Sequence, residues 1–340
     1  MVAMKSILRT CALLAASALL AGGPEVAVAT EYAMARMSSV GISELDLQVL
    51  LDRAGFSPGE IDGDGGSNGA KALTAFREAH GIPAGAHGRK LLLAALGAGD
   101  IDPLVAHTIT AEEAAGPFSA SIPSDMLAQS ALPGLYYTSV LQELGQEFHS
   151  SPALLERLNP RARFTVGEEI RVPNLTEVEH EADAAGEAAS TRMAGHERLR
   201  SHVGPVKVVV SKRKGILTVY DKDDQILFHA PVTSGSEHDP LPLGHWHITA
   251  VVRDPTYNYN PDLFWDADPA NAKVTIAAGP NNPVGDIWID INKPHYGIHG
   301  TPEPARIGYA QSHGCVRLTN WDALELAELV RKGTPVLFEP

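Results

Sequence analysis

The stretch HYGIHGTPEPARIGYAQSHGCVRLTN, residues 295–320, decides how this sequence is interpreted. It holds Cys315 at the end of a Ser-His-Gly-Cys run, and a second His-Gly pair, His299-Gly300, lies 16 residues before the cysteine. A thiol that attacks a carbonyl group needs a base for its proton, a group that orients the base, and N–H donors for the developing oxyanion. This stretch can supply all three, so it predicts a cysteine nucleophile.

Two histidines compete for the role of base. His299 and His313 can each take the thiol proton, and the residues alone leave this choice open. We expect a base or cation nearby to favour the thiolate over the thiol, whose ordinary pKa is about 8.5. Gly314 permits a tight turn in which the N–H groups of 313–315 converge beside the sulfur. Arg317 can bind a substrate carboxylate.

Two other chemistries are possible for the same residues. His299, His313 and Cys315 could ligate zinc together with His245 and His247, but the chain has no CxxC or HExxH spacing. Ser312 could act in a serine triad, but it lacks the Gly-x-Ser-x-Gly elbow. We therefore expect no metal and no organic cofactor.

Short strands surround the motif throughout the C-terminal part of the chain. Valines alternate from Val206 onward, and further strand-like runs with turn signals follow at 244–252, 272–279 and 286–291. Only residues 320–331 have helical spacing in this part. The pattern predicts a mainly-β, sandwich-like domain with one helix over 205–339.

The rest of the chain divides into smaller units. Residues 42–98 predict a small three-helix module, and 134–174 predict a compact βααβ module whose first strand lies in GLYY at 134–137. Residues 107–133 are small, polar and interrupted by prolines, so they are expected to form a linker. Residues 175–202 contain almost no large apolar side chain and predict a second linker. We expect little fixed packing between the modules.

The N-terminus has the features of a secretory signal. Lys5 and Arg9 precede the apolar run 11–21, and Ala-Val-Ala at 27–29 offers a small-residue cleavage site. Removing residues 1–29 takes away one of the two cysteines and leaves a single thiol in an exported chain. We expect the protein in the periplasm or cell envelope, with no transmembrane span after cleavage.

Charge and composition restrict the partners. The formal net charge is −14, which argues against nucleic-acid binding because phosphates need a basic surface. The hydrophobic content of 44% is enough for packed cores and argues against wholesale disorder.

The run HGTPEPARIGYAQSHGCVRL resembles the L,D-transpeptidase (YkuD-type) family signature. The resemblance covers residues 205–339 and implies a β-rich fold with Cys315 as nucleophile and His299 as base. It further implies that the Gly300 carbonyl orients the base and that His313 and Gly314 shape the oxyanion pocket. Arg317 and Ser312 are then expected to contact substrate.

The upstream modules also resemble known families. The runs LLDRAGFSPGEIDGDGG and ALTAFREAHGI are similar to the peptidoglycan-binding type 1 domain, although Arg77 stands where that family usually has Gln. Residues 134–174 are similar to a LysM module without its Gly-Asp-Thr turn. Together the three resemblances imply peptidoglycan stem peptides and glycan as partners.

The implied reaction is acyl transfer on tetrapeptide stems. Cys315 forms a thioester and terminal D-Ala leaves. An amine then takes the acyl group, which gives a 3→3 cross-link, an anchored envelope protein or an exchanged D-amino acid. One alternative is a hydrolase on the same fold, an L,D-carboxypeptidase or an amidase. The other is a wall-binding protein without catalysis. A papain-like protease is disfavoured because its cysteine precedes its histidine.

Overall fold

The computed structural model describes residues 42–175, 204–268 and 270–340. The expected signal peptide, 1–29, and the expected linker, 175–202 apart from its first residue, lie outside these residues. None of the helices in the described part of the chain is long and apolar enough to cross a membrane.

Three helices form the first unit: α1 (Glu44–Arg53), α2 (Ser67–Ala79) and α3 (Gly85–Ala95). Helix α1 begins at a capping box in which the side chains of Ser43 and Asp46 each accept a hydrogen bond from the other residue's backbone N–H. Apolar side chains from all three helices form one buried core that includes Leu50, Phe76 and Leu92. The structure therefore has three helices where three were expected.

The second unit pairs two strands that are far apart in the chain. Strand β1 (Leu104–Thr108) lies antiparallel to β2 (Glu169–Pro173), and between them come α4 (Met126–Ser130), α5 (Val140–Glu147) and α6 (Pro152–Leu158). A buried core of residues such as Leu144, Leu155 and Val172 joins the strands to α5 and α6.

Two expectations for this unit were wrong. Its first strand is β1, not the run at 134–137, because the carbonyl and N–H of Leu135 bond to Asn281 and Ala278 of the C-terminal domain. The expected linker 107–133 begins inside β1 and contains α4, which packs with Ile276 in a small apolar cluster. Pairing across more than 60 residues leaves no local signal, so the sequence pattern did not reveal it.

A nine-stranded sheet dominates the C-terminal domain; in the strand numbering given in the next sentence, its order is β5-β4-β3-β13-β7-β10-β11-β12-β6. Its strands are β3 (Lys207–Ser211), β4 (Ile216–Tyr220), β5 (Ile226–Pro231), β6 (Thr233–Ser234), β7 (Gly244–Arg253), β10 (Ile287–Ile291), β11 (Gly297–His299), β12 (Val316–Arg317) and β13 (Pro335–Glu339). Strands β8 (Tyr257–Tyr259) and β9 (Val274–Ile276) form a separate hairpin, and α7 (Asn320–Leu329) is the only α-helix among the described residues of this domain.

Strand β7 connects the two halves of the large sheet. Its residues 244–247 pair with β13, whereas residues 248–253 pair with β10. Side chains from opposite ends of the strand order, such as Phe228 on β5 and Ile298 on β11, enter one buried core together with α7. The expectation of a mainly-β domain with one helix is confirmed; its two halves are parts of one curved sheet that encloses a single core.

The three units are closely packed, so the expectation of little fixed packing was wrong. The helical unit covers edge strand β5: Ser57 N donates to His229 O over 2.8 Å, and His229 N donates to Gly55 O over 2.9 Å. The second unit reaches α7, where the ring of His149 stacks on Trp321 with centroids 5.2 Å apart. The low apolar content of the connecting segment 175–202 does not predict whether the units on either side of it pack together.

Candidate active site

Two parallel strands bring the motif residues together. Strand β11 pairs with β12 so that Ile298 lies beside Val316 and His299 lies beside Arg317. Ile298 and Val316 are fully buried in the core. Because side chains alternate along a strand, His299 and Arg317 project from the other face, and Cys315, one residue before Val316, belongs to that same face. The sheet register therefore unites residues that are 16 positions apart in the chain.

His299 is held as a neutral imidazole. Its Nδ1 lies 2.7 Å from the carbonyl oxygen of Gly300, which can only accept, so Nδ1 carries the proton and Nε2 keeps its lone pair. Its ring also stacks on Trp288 at 5.5 Å between centroids. Burial and, to a smaller extent, the nearby Arg317 guanidinium together lower the pKa of His299 to about 3, against the opposing effect of the hydrogen bond with Gly300. At neutral pH the imidazole is thus uncharged and able to accept a proton.

Cys315 is half-buried, and its Sγ lies 3.7 Å from the carbonyl oxygen of His295. Burial raises the pKa of the thiol, while a hydrogen bond with the Gly297 backbone and the charge of Arg317 act in the opposite direction. The expected stabilisation of the thiolate is therefore outweighed by burial. At neutral pH the Cys315 thiol and the His299 imidazole are therefore both uncharged.

The turn before Cys315 is fixed by Gly314 and Ser312. Gly314 has φ +102°, and an added Cβ would lie 2.6 Å from Cε1 of Tyr296, so only glycine fits. The buried Ser312 hydroxyl donates to Cys315 O over 2.6 Å and accepts from Gly235 N over 2.7 Å. The donor and one acceptor position of this hydroxyl are thus used within the protein, and the expected contact of Ser312 with substrate stays a prediction.

His313 points away from this pair of strands. Its Nε2 lies 2.9 Å from Oδ1 of Asp266, and its ring meets Phe264 edge-on with centroids 5.0 Å apart. Both partners belong to the segment between β8 and β9, and the His313 side chain is partly exposed. Its ring therefore links the turn before Cys315 to this segment, and His299 has the surroundings of a base.

Arg317 lies beside Cys315 with little solvent around it. Burial lowers the pKa of its guanidinium group, while Cys315, Glu303 and Tyr257 act in the opposite direction. Its Nε is buried without a hydrogen-bond partner. Burial raises the pKa of the neighbouring Tyr257 to about 12, so its phenol stays protonated at neutral pH. A neutral phenol and a cation thus adjoin the sulfur, where they can bind an anionic or carbonyl group.

Three further residues support the site, and the sequence analysis did not predict them. Trp288 stacks on the base, and Tyr257 adjoins Arg317. Asn320 donates from Nδ2 to Pro280 O over 3.1 Å and accepts from Asp286 N over 3.3 Å, and it fills the space where a side chain on Gly300 would go. Alternation along DIWIDI places Trp288 on the other face of the strand from the buried isoleucines, so the sequence could have predicted its position. Tyr257 and Asn320 reach the site only through tertiary packing, which has no local sequence signal.

The histidines that the zinc alternative needs lie in separate parts of the domain. His245 and His247 are exposed on β7, where they pair with β13, and not beside β11 and β12. Within the described ranges, no three His, Cys, Asp or Glu side chains form a group suited to a metal ion. The zinc alternative therefore has no support among these residues.

Comparison with known proteins gives matches to the C-terminal domain. A model of the L,D-transpeptidase catalytic domain (YkuD) matches residues 205–337. YkuD of Bacillus licheniformis, named an L,D-transpeptidase, is 33% identical over 136 residues, which are 40% of this chain and 67% of the relative. YkuD of Bacillus subtilis is 27% identical over 198 residues, 58% of this chain and 91% of the relative.

Among solved structures, an L,D-transpeptidase from Mycobacterium smegmatis matches with a TM-score of 0.33 and 22% identity. The match covers 40% of this chain and 58% of that one, so the chain spans less than two thirds of this structure.

Proposed function

The chain belongs to the YkuD family of L,D-transpeptidase catalytic domains, and from this premise we propose that it is a cysteine acyltransferase acting on peptidoglycan tetrapeptide stems. The observation that carries the proposal is the parallel pairing of β11 with β12, which puts His299, Arg317 and Cys315 on one face. A neutral imidazole with its Nδ1 proton bonded to Gly300 O supports His299 as the base. Its Nε2 is then the proton acceptor.

In the first half-reaction, Sγ of Cys315 attacks the carbonyl carbon of the third residue of a tetrapeptide stem while His299 Nε2 takes the thiol proton. The N–H groups around Gly314 stabilise the oxyanion. The tetrahedral intermediate collapses, the amide C–N bond breaks, and His299 returns the proton to the leaving amine of D-Ala. A thioester on Cys315 remains, and no metal ion or organic cofactor takes part.

In the second half-reaction, an amine attacks the thioester carbonyl. His299 accepts a proton from the amine, the C–S bond breaks, and the sulfur regains its proton from His299. A stem amine gives a 3→3 cross-link, a protein lysine gives an anchored envelope protein, and a free D-amino acid gives stem exchange. Arg317 is assigned to the donor, where its cation can bind the carboxylate of D-Ala.

The upstream units and the N-terminus complete the proposal. The helical unit is assigned to glycan binding by its likeness to the peptidoglycan-binding type 1 domain, and 134–174 by its likeness to a LysM module. An export signal at 1–29 would deliver the enzyme to the cell envelope, where its substrate is located.

The test is incubation of the protein with purified disaccharide-tetrapeptide, followed by mass analysis of the products. Loss of D-Ala with formation of a cross-linked dimer, or of an exchanged stem when a D-amino acid is added, supports the transferase. Disaccharide-tripeptide as the sole product identifies the hydrolase instead. If D-Ala is not released and no thioester forms on Cys315, the result favours the wall-binding alternative.

A further inference from the structure

The segment that connects the base to the nucleophile, residues 300–314, has little regular structure of its own. Its only helical element is a 3-10 turn at Pro304–Arg306. Its path must therefore be set by contacts with other parts of the molecule. The middle of the segment, Ile307 to Tyr309, contacts the helical unit at the other end of the sequence.

Asn68 of helix α2 makes the central contact. Its Nδ2 donates to Ile307 O over 2.8 Å, and both residues are buried. Gly308 has φ +82°, and a Cβ there would collide with Oδ1 of Asn68. The Asn68 amide thus occupies the space that glycine leaves, and it satisfies a carbonyl that has been withdrawn from water.

Lys71 fixes the orientation of this amide. Its ammonium group donates to Asn68 Oδ1 over 3.3 Å and to Gly215 O, in the turn after β3, over 3.4 Å. Because Lys71 can only donate, Oδ1 must face Lys71 and Nδ2 must face Ile307. One side chain of the helical unit therefore directs another at the loop of the catalytic domain.

The opposite side of the same turn is tied to the strand next to the nucleophile. Gly308 N donates to Oγ1 of Thr233 over 2.9 Å, and that hydroxyl donates to Arg306 O over 3.3 Å. Thr233 lies on β6 in register with Arg317 of β12, two residues after Cys315. A continuous path of hydrogen bonds and strand pairing thus runs from Asn68 through the turn to β12.

We propose that Asn68 is a positioning residue for the catalytic loop, and that the helical unit therefore completes the active site in addition to any wall binding. The inference rests on the proposed function, since it assigns Asn68 a part in turnover. Asn68 acts through the turn at 307–309, which it holds against β6 and β12. Displacement of catalytic groups by about 1 Å can cost on the order of a hundredfold in rate.

The test compares Asn68→Asp with the wild type in the full chain. Aspartate keeps the size and the contact with Lys71 but replaces the donor with an oxygen that faces the Ile307 carbonyl. Thr74→Ala, on the exposed side of the same helix, is the matched control. We expect Asn68→Asp to lower kcat for D-Ala release by on the order of tenfold to a hundredfold, with KM within about twofold. Thr74→Ala should match the wild type.

Hydrogen–deuterium exchange distinguishes a local effect on the catalytic loop from a general loss of stability, because a general loss would speed exchange throughout the protein. Faster exchange confined to 300–314, with 42–98 unchanged, supports positioning. Unchanged kcat and unchanged exchange would overturn it. If Asn68→Asp unfolds the helical unit, kcat and exchange are measured on Asn68→Ser instead and judged by the same criteria. If both variants unfold, Asn68 has only a structural role, and the proposal is overturned. If the wild type releases no D-Ala, the proposed function fails, while the exchange of 300–314 still tests Asn68.

Discussion

The sheet that carries Cys315 encloses a core of its own, whereas the two upstream units bury part of their surface against the C-terminal domain. The helical unit packs on edge strand β5, and the second unit packs on α7 and on the β8–β9 hairpin. The main core of the C-terminal domain consists entirely of residues from 206 to 338. By contrast, Ile226 of β5 packs against the core of the helical unit, and Leu135 shares a buried cluster with Tyr259 and Ile276. The catalytic domain thus has an independent interior, but its edge strand and the start of α7 are completed by the upstream units.

The largest effect is expected at the nucleophile. Cys315→Ala should abolish D-Ala release, because no other cysteine lies among the described residues. The fold should persist, since Cys315 is only half-buried as a residue and alanine keeps its Cβ. Product analysis by mass, with thermal unfolding as the control for folding, checks this. Substantial turnover by the variant would remove Cys315 from the mechanism.

The base is expected to come next. His299→Ala should slow acylation of Cys315 by a carbapenem by on the order of 10²–10⁴, the usual contribution of a positioned general base. Because the pKa of His299 is about 3, the wild-type rate should stay level down to about pH 5. In the variant the rate should instead rise with pH toward the raised pKa of the thiol, since only the thiolate then reacts.

His313→Ala is the matched control for that experiment. It removes a histidine of the same motif whose ring bonds to Asp266, outside the pair of strands that carries the base. We expect it to keep the shape of the wild-type pH profile and to lose less rate. A level profile in His299→Ala together with a rising one in His313→Ala would reverse the two roles.

A third change tests the contact between the helical unit and the sheet. Phe56 is fully buried between Phe76, 5.2 Å away by ring centroids, and His229 of β5, 6.2 Å away. Phe56→Ala should cost about 3–5 kcal/mol of unfolding free energy and should speed amide exchange in β5. Leu91→Ala, at a 41% exposed position of α3, is the control. Unaltered exchange in β5 would show that the two regions are energetically separate.

The smallest effect concerns a buried carboxyl where the three units meet. Burial and, to a smaller extent, Asp52 of α1 raise the pKa of Asp322 on α7 to about 7, although Thr319, Ser57 and His149 act in the opposite direction. The folded state therefore prefers the protonated carboxyl. Its contribution to stability is complete below about pH 4 and is lost as the pH rises through about 7.

Asp322→Asn should remove this pH dependence. Relative to the wild type, we expect a Tm several degrees higher at pH 8, where the wild type must hold a buried charge, and a much smaller difference at pH 5. Calorimetry at the two pH values measures this. An equal shift at both would contradict the assignment of the raised pKa to Asp322.

The two regions also differ in what their sequences disclose. Alternation predicts the strands of the sheet and the motif at 312–315 predicts the nucleophile, because both signals are local. The residues alone did not choose between His299 and His313, since that choice depends on strand register and on the Gly300 carbonyl. The partner of β2 and the docking of Phe56 on β5 depend on contacts between distant segments, so short patterns do not reveal them.

The central claim is that the upstream units are a structural part of the enzyme, and comparison of residues 204–340 with the full chain tests it most directly. Cys315 acylation by a carbapenem and amide exchange would be measured on both. We expect the fragment to react at least about tenfold more slowly and to lose protection in β5 and at the start of α7. A fragment that reacts at the full-chain rate with the same protection would contradict the claim and leave the upstream units as tethers.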